Sequence, residues 1–186
     1  MNIITRLFRS HEQDEQFEQI RPRLFRVAYS WSRNRELAED LTQETLIRGL
    51  KHIGQLQDPK KFDSWLFSIL HNCWRDHFRK LVNTEDIDEI AEILPSDRNT
   101  PEGEHALSQL VLQVRTAVAS LPVGQRQVVR LVDLEEFSYM DVAQILAIPV
   151  GTVMSRLSRA RQNLQVLLKE HATSAGQQHG YLRRVK

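Results

Sequence analysis

The residues best suited to chemistry in this chain lie between Thr152 and Gln162, and the chemistry they suit is recognition rather than bond making. At about 100° per residue, Thr152, Ser155, Ser158, Arg159 and Gln162 share one side of a helix, with Arg156 and Arg161 on its flanks. Val153, Leu157, Ala160, Leu164, Leu167 and Leu168 take the opposite side. Short hydroxyls at the centre permit close approach, and arginines at the edges reach phosphates or guanine edges, so the face fits a major groove. It carries no carboxylate, whereas a solvated helix face ordinarily mixes both signs of charge.

A helix in that role needs a second to hold it. Ser138 is placed to cap one, with Asp141 three residues on, and Tyr139, Val142, Ile145 and Leu146 recur at helical spacing. Ala147-Ile148-Pro149 interrupts, and Pro149 suits the start of the next helix. The pattern predicts two short helices joined by a tight turn.

Three earlier helices are expected. From Phe17, the residues Phe17, Ile20, Leu24, Val27, Ala28 and Trp31 share a face, with Pro22 near the helix start and Asn34 as its stop. Over residues 36–53, Leu37, Ala38, Leu41, Leu46, Leu50 and Ile53 cover most of the circumference, while Asp40, Gln43, Glu44 and Ile47 project together. Spacing alone leaves that stripe as either a docking site for a basic partner or a solvated carboxylate face. Residues 54–61 form a loop, marked by Gly54 and Asp58-Pro59.

The helix after it, over residues 62–80, turns Leu66, Leu70, Cys73, Trp74 and His77 inward and Ser68, Asn72, Arg75 and Arg79 outward. Trp65 and Phe62 stand beside the loop. Rings next to an Asn/Arg row suit unpaired bases, which stack on aromatics and expose their edges; for Phe62 a core position is the better reading. His71, Cys73 and His77 invite a metal, but His71 and His77 lie about 240° apart and there is no second cysteine, so no metal site is expected. His71 is placed with the polar stripe and His77 at the core edge.

Charge divides the chain. The net charge of +1 conceals twelve Lys/Arg against seven Asp/Glu in residues 21–80, one against eight in 81–110, and ten against five in 111–186. Two basic modules flank an acidic connector. At 186 residues and 41% hydrophobic, the chain supports two small cores. The expected organisation is a lead-in (1–16), a helical domain (17–82), a flexible acidic linker (83–109), a second helical domain (110–170) and a disordered basic tail (171–186). In the second domain a helix from Leu110 and another after Pro122, with Arg126 and Arg130 outside, brace the two-helix motif. The fold class is all-α.

No run of eighteen apolar residues is present, residues 1–10 are too charged for a signal peptide, and the lone Cys73 excludes an internal disulfide; a cytoplasmic protein without membrane insertion is expected. No carboxylate cluster, nucleophile–base pair or phosphate-cradling glycine loop is found, which argues against an enzyme, and no cofactor is expected.

Together these pieces resemble the bacterial extracytoplasmic-function (ECF) sigma factors. AEDLTQET (38–45) and HNCWRDHFRK (71–80) are similar to the family's second region. LPVGQRQVVRL (121–131) followed by SYMDVAQIL and AIPVGTVMSRLSRAR (138–161) is similar to its −35-reading domain. The resemblance covers residues 17–80 and 112–168. It implies a factor that binds core RNA polymerase and directs initiation at promoters with −10 and −35 elements. Asp40, Gln43, Glu44 and Ile47 would meet the coiled coil of the largest polymerase subunit, and the second domain its flap. Residues 55–61, among them Lys60 and Lys61, would hold −10 bases together with Trp65, Asn72, Arg75 and Arg79. Thr152, Ser155, Arg156, Ser158, Arg159 and Gln162 would contact the −35 element. The resemblance also implies an anti-sigma factor as a partner, often membrane-anchored in the family.

Three departures stand out. Ala147 occupies a turn position that is usually glycine, where a left-handed residue would be strained. Glu136-Phe137 replaces a more usual Glu-Gly, and Met154 stands where a basic or polar residue is common, so promoter preference does not transfer. The alternative is a stand-alone helix-turn-helix regulator, which would bind its operator without polymerase.

Overall fold

Helix α1 (Ile3–Ser32) is organised by the stripe from Phe17 to Trp31, whose members are all buried. The computed structural model describes residues 3–82 and 106–181. Helix α1 begins well ahead of Phe17, so the stretch expected as a lead-in is helical. Pro22 consequently lies inside the helix, not at its start. It sits on the exposed side, and the buried residues on either side of it hold the helix through the missing hydrogen bond. Arg33 adopts a left-handed backbone (φ 55°) that ends α1. Asn34 is not a stop but the cap of the next helix: its Oδ1 accepts from the Leu37 amide at 3.0 Å.

Helix α2 (Arg35–His52) and helix α3 (Phe62–Val82) complete the first block. The backbones approach closely at Gly49, where a Cβ would fall 2.6 Å from Leu66 Cδ2 and 2.9 Å from Phe17 Cε1. Two 3-10 turns, Ile53–Gln55 and Pro59–Lys61, bridge α2 to α3, the second capped by Asp58.

The second block contains α4 (Ala106–Ala119), α5 (Val123–Val129), α6 (Tyr139–Leu146) and α7 (Val150–Tyr181). Its first helix starts ahead of the boundary expected at 110, and its last continues into the stretch expected as a tail. Residues 83–105 of the expected linker, and 182–186 of the tail, lie outside the described residues. Helix α5 runs on as a π turn over Arg130–Leu134, and Glu136 follows with a positive φ of 60°. Ser138 caps α6, accepting from the Asp141 amide at 3.1 Å, as the spacing predicts. Ala147 is left-handed (φ 52°, ψ 44°), and Ile148 N–H closes the turn on Ala143 O at 3.0 Å. The chain then bends by 104° into α7, within the range of a helix-turn-helix.

The described elements are helical, without strands, in two blocks that also touch. Helix α6 lies against α3, while α5 and the π turn lie against α1. The acidic connector predicts separate modules on a tether, and the seam between them is a departure from that expectation. Arg126 is buried and Arg130 half-buried there, although their sequence positions predict both outside.

Candidate functional site

Three surfaces carry the residues that sequence singles out. On α2, Ala38, Leu41, Thr42 and Thr45 are buried, which turns Asp40, Gln43, Glu44 and Ile47 outward; all four are exposed. The Thr42 and Thr45 hydroxyls donate to the Ala38 and Leu41 carbonyls at 2.7 and 2.6 Å, so they need no outside partner. Ile47 and Leu50 leave apolar surface beside the carboxylates, at 39% and 50% exposure. An acidic stripe edged with aliphatic carbon suits a protein partner bearing cations. Glu44 accepts from Arg48 Nε at 2.6 Å and raises that guanidinium above its ordinary pKa, and Arg48 in turn reaches Asp76 at 3.5 Å.

The second surface joins the 3-10 turn to α3. Lys60 and Lys61 are exposed on the turn, and Asn72 and Arg79 are exposed on the helix. Arg75 and Trp65 are half-buried, Trp65 tilted against Phe62 with centroids 6.4 Å apart. Phe62 is core, 7% exposed and edge-on to Phe17 at 5.1 Å. The turn thus exposes two cations and the helix that follows it an amide and a guanidinium, with the half-buried Trp65 in the first turn of that helix.

His71 does not join this surface. It is 1% exposed, edge-on to Trp31 (6.0 Å) and stacked on Trp74 (6.2 Å), with neither ring nitrogen hydrogen-bonded. Burial, assisted by the nearby Arg75 charge, lowers its pKa to about 4, so the ring is neutral at physiological pH. Regular periodicity puts His71 one step from the polar row, and the two tryptophans close over it. Cys73 is buried too, and burial pushes its thiol up and out of the reactive range.

The third surface is α7. Val153, Leu157 and Ala160 are buried against Val142, Ile145 and Leu146 of α6. Ser155, Ser158, Arg159 and Gln162 are exposed, and Thr152 and Arg156 are half-buried at the rim. Arg161 is engaged elsewhere: its guanidinium donates to Asp133 at 2.5 Å, tying α7 to the π turn. Tyr139, Met140 and Met154 are exposed apolar residues around the motif, although Tyr139 had been expected inside.

Sequence reading missed the seam between the blocks. There the Glu135 side chain, only 4% exposed, accepts from Arg23 Nε and Arg130 Nη2, each at 2.9 Å. Arg23 also pairs with Asp63 and lies 5.6 Å and 6.0 Å from the ring centres of Phe67 and Phe137, which meet edge-on at 5.1 Å. Burial lowers the Arg23 pKa, but its two carboxylates outweigh that and leave it raised. Arg126 donates to Ala119 O at 2.7 Å and to Trp31 O across the seam at 3.3 Å. Burial and Arg33 lower its pKa to about 10. Contacts between residues about 70 to 110 positions apart leave no periodic signal.

Comparisons with known proteins match both helical blocks. A family model described as Sigma-70 region 2 matches residues 16–84, and one described as Sigma-70, region 4 matches residues 112–164. The chain is 36% identical to the ECF RNA polymerase sigma factor SigE of Mycolicibacterium smegmatis over 88% of its own length and 64% of that protein's. It is 40% identical to the ECF RNA polymerase sigma factor EcfG of Rhodopseudomonas palustris over 79% and 80% of the two lengths. Among solved structures, the sigma factor RpoE from Bartonella quintana, in complex with the anti-sigma factor NepR, is similar at a TM-score of 0.67 and 28% identity. That likeness covers 85% of this chain and 97% of RpoE.

Proposed function

The chain belongs to the ECF sigma factors, non-enzymatic proteins that bind core RNA polymerase and direct promoter-specific initiation; from that premise, we propose a division of labour among its surfaces. The α2 stripe of Asp40, Gln43, Glu44 and Ile47 docks on the coiled coil of the largest polymerase subunit, and the second block meets the flap. Lys60, Lys61, Trp65, Asn72, Arg75 and Arg79 capture bases of the melted −10 element. Thr152, Ser155, Arg156, Ser158, Arg159 and Gln162 read the −35 duplex.

One observation carries the assignment: a single chain exposes an acidic, apolar-edged helix face and a separate hydroxyl-and-arginine face without a carboxylate. The first favours a cationic protein surface and repels phosphate, while the second favours phosphate and base edges. A stand-alone regulator has no use for the first face. Melting needs no bond-breaking chemistry, because bases flipped from the stack are held by ring stacking and amide hydrogen bonds.

An anti-sigma factor is a further expected partner, since the similar RpoE structure is a complex with one. No single described helix is long and apolar enough to cross a membrane, and we place the protein in the cytoplasm, where polymerase and promoter are. The reading is tested by footprinting a two-element promoter. Protection of both elements should require core polymerase, and protection of both by the chain alone would favour the regulator.

A further inference from the structure

We propose that Met154 is a specificity-determining residue of the −35 face, its side chain reading the C5-methyl group of a thymine. The proposal rests on the assignment of α7 to the −35 duplex and names one base feature which that face selects.

The outer face of α7 has two unlike edges. Thr152, Arg156 and Arg159 follow one another at i, i+4 and i+7 along one edge and bring two guanidiniums to it. Met154, Ser158 and Gln162 follow at i, i+4 and i+8 along the other, and none of the three carries a charge. These three also meet in space: they line one groove beside α7, across which stands Tyr139 of α6. Arg161, the cation on that flank, is tied back to Asp133 and Tyr139. The charged edge is suited to phosphates and guanine, and the neutral edge is headed by an apolar side chain.

Met154 is placed to reach a base. It is the fifth residue of α7, within the N-terminal part of a recognition helix that contacts base edges. At 54% exposure it leaves most of its apolar surface in water in the free chain. Gly151, one turn ahead on the same side, has no side chain, and nothing packs within 4 Å of where its Cβ would stand. The approach to Met154 along the helix start is therefore open.

The chemistry then selects the base. A thioether has no donor and is only a weak acceptor, so it gains little from the hydrogen-bonding edges of guanine, cytosine or adenine. The thymine C5-methyl is the apolar group of the major-groove code, and apolar side chains meet it there. Three rotatable bonds let a methionine settle on it while the hydroxyls and arginines fix the register of the helix.

The test uses the full chain bound to core polymerase on a two-element promoter. The −35 base pairs are randomised, and bound sequences are selected with wild type, Met154→Ala and Met154→Gln. Both replacements are good helix formers at an exposed position, so the fold is kept. Wild type should select thymine, on either strand, at one position where the variants do not. Deoxyuridine in place of that thymine removes the methyl alone and should cost wild type about fourfold in affinity, and Met154→Ala nothing. Identical selections by all three chains, or an equal deoxyuridine penalty with and without Met154, overturn the proposal. So does a Met154→Ala chain that loses core affinity with its sequence choice intact, which would make Met154 a protein contact. A wild-type selection with no preference at any −35 position would instead overturn the assignment of α7 on which the proposal rests.

Discussion

The two blocks solve the same problem, three or four helices around one core, with different interiors and opposite faces. The first is packed with rings: Phe17, Trp31, Phe62, Phe67, Trp74 and Phe78, with His71 among them. The second is aliphatic, filled by Leu121, Val128, Val129, Leu131, Val142, Ile145, Leu146, Val153 and Leu157. Outward, the first offers a carboxylate stripe on α2 and the second a cationic face on α7. The contrast teaches that the partner of an exposed helix face is read from its charge sign and its share of apolar carbon. It also teaches that one buried imidazole, His71, makes the first interior sensitive to protons, whereas the aliphatic side chains that fill the second do not titrate.

The sharpest way to break the contrast is to reverse its sign on α2. Glu44→Lys should weaken core polymerase binding by more than about 3 kcal/mol, since a rim carboxylate becomes a like charge against a basic partner. Helical circular dichroism should be unchanged, because Glu44 is exposed and its ion pair is with Arg48 one turn along the same helix. A variant that still captures core enzyme removes α2 from the docking surface.

On the other face, Arg159→Ala should cost about 1–3 kcal/mol of −35 binding if the guanidinium reads a base, with the loss confined to one base pair. Equal loss on every sequence, measured by competition with altered duplexes, makes Arg159 a phosphate contact instead.

Acid separates the interiors. His71 has a folded pKa near 4, lowered by burial and then by Arg75, against an ordinary 6.5. The unfolded chain thus binds the proton more readily, and stability rises with pH between about 4 and 6.5 and is lost on acidification. From pH 7 to pH 5 this single group should withdraw about 2 kcal/mol, read by denaturant unfolding. His71→Leu should flatten that slope while leaving −35 half-site binding unchanged.

The smallest effect is in the turn. Ala147 is exposed and left-handed. Ala147→Gly should relieve backbone strain and raise stability by about 0.5–1 kcal/mol, the gain being offset partly by the greater freedom of unfolded glycine. A thermal melt that does not rise would show that the turn is already relaxed.

How far the sequence could be read follows from the range of each interaction. The faces of α2 and α7, the Ser138 cap and the turn at Ala147 are written in residues within a few positions of one another, and local geometry turns such spacing into structure. Glu136 shows the edge of that legibility. Glu136-Phe137 marks an unusual turn before Ser138, yet only the backbone shows that Glu136, and not Phe137, takes the left-handed conformation. His71 was misplaced because a helical wheel puts it at the border of the polar row, and the tryptophans that enclose it come from two helices. Arg126 and Arg130 were placed outside because arginines ordinarily are; the seam that covers them pairs residues a hundred positions apart. Pro22 failed for the opposite reason, since tertiary burial outweighed a strong local rule.

The most direct measurement is run-off transcription with purified, sigma-free core polymerase on a two-element promoter and on versions lacking one element. Start sites should appear only when the chain is added, at a fixed distance from both elements, with loss of either element lowering the yield and Glu44→Lys abolishing it. If the chain leaves start-site choice unchanged while footprinting the same DNA by itself, it is not an initiation factor, and the two faces have been assigned to the wrong partners.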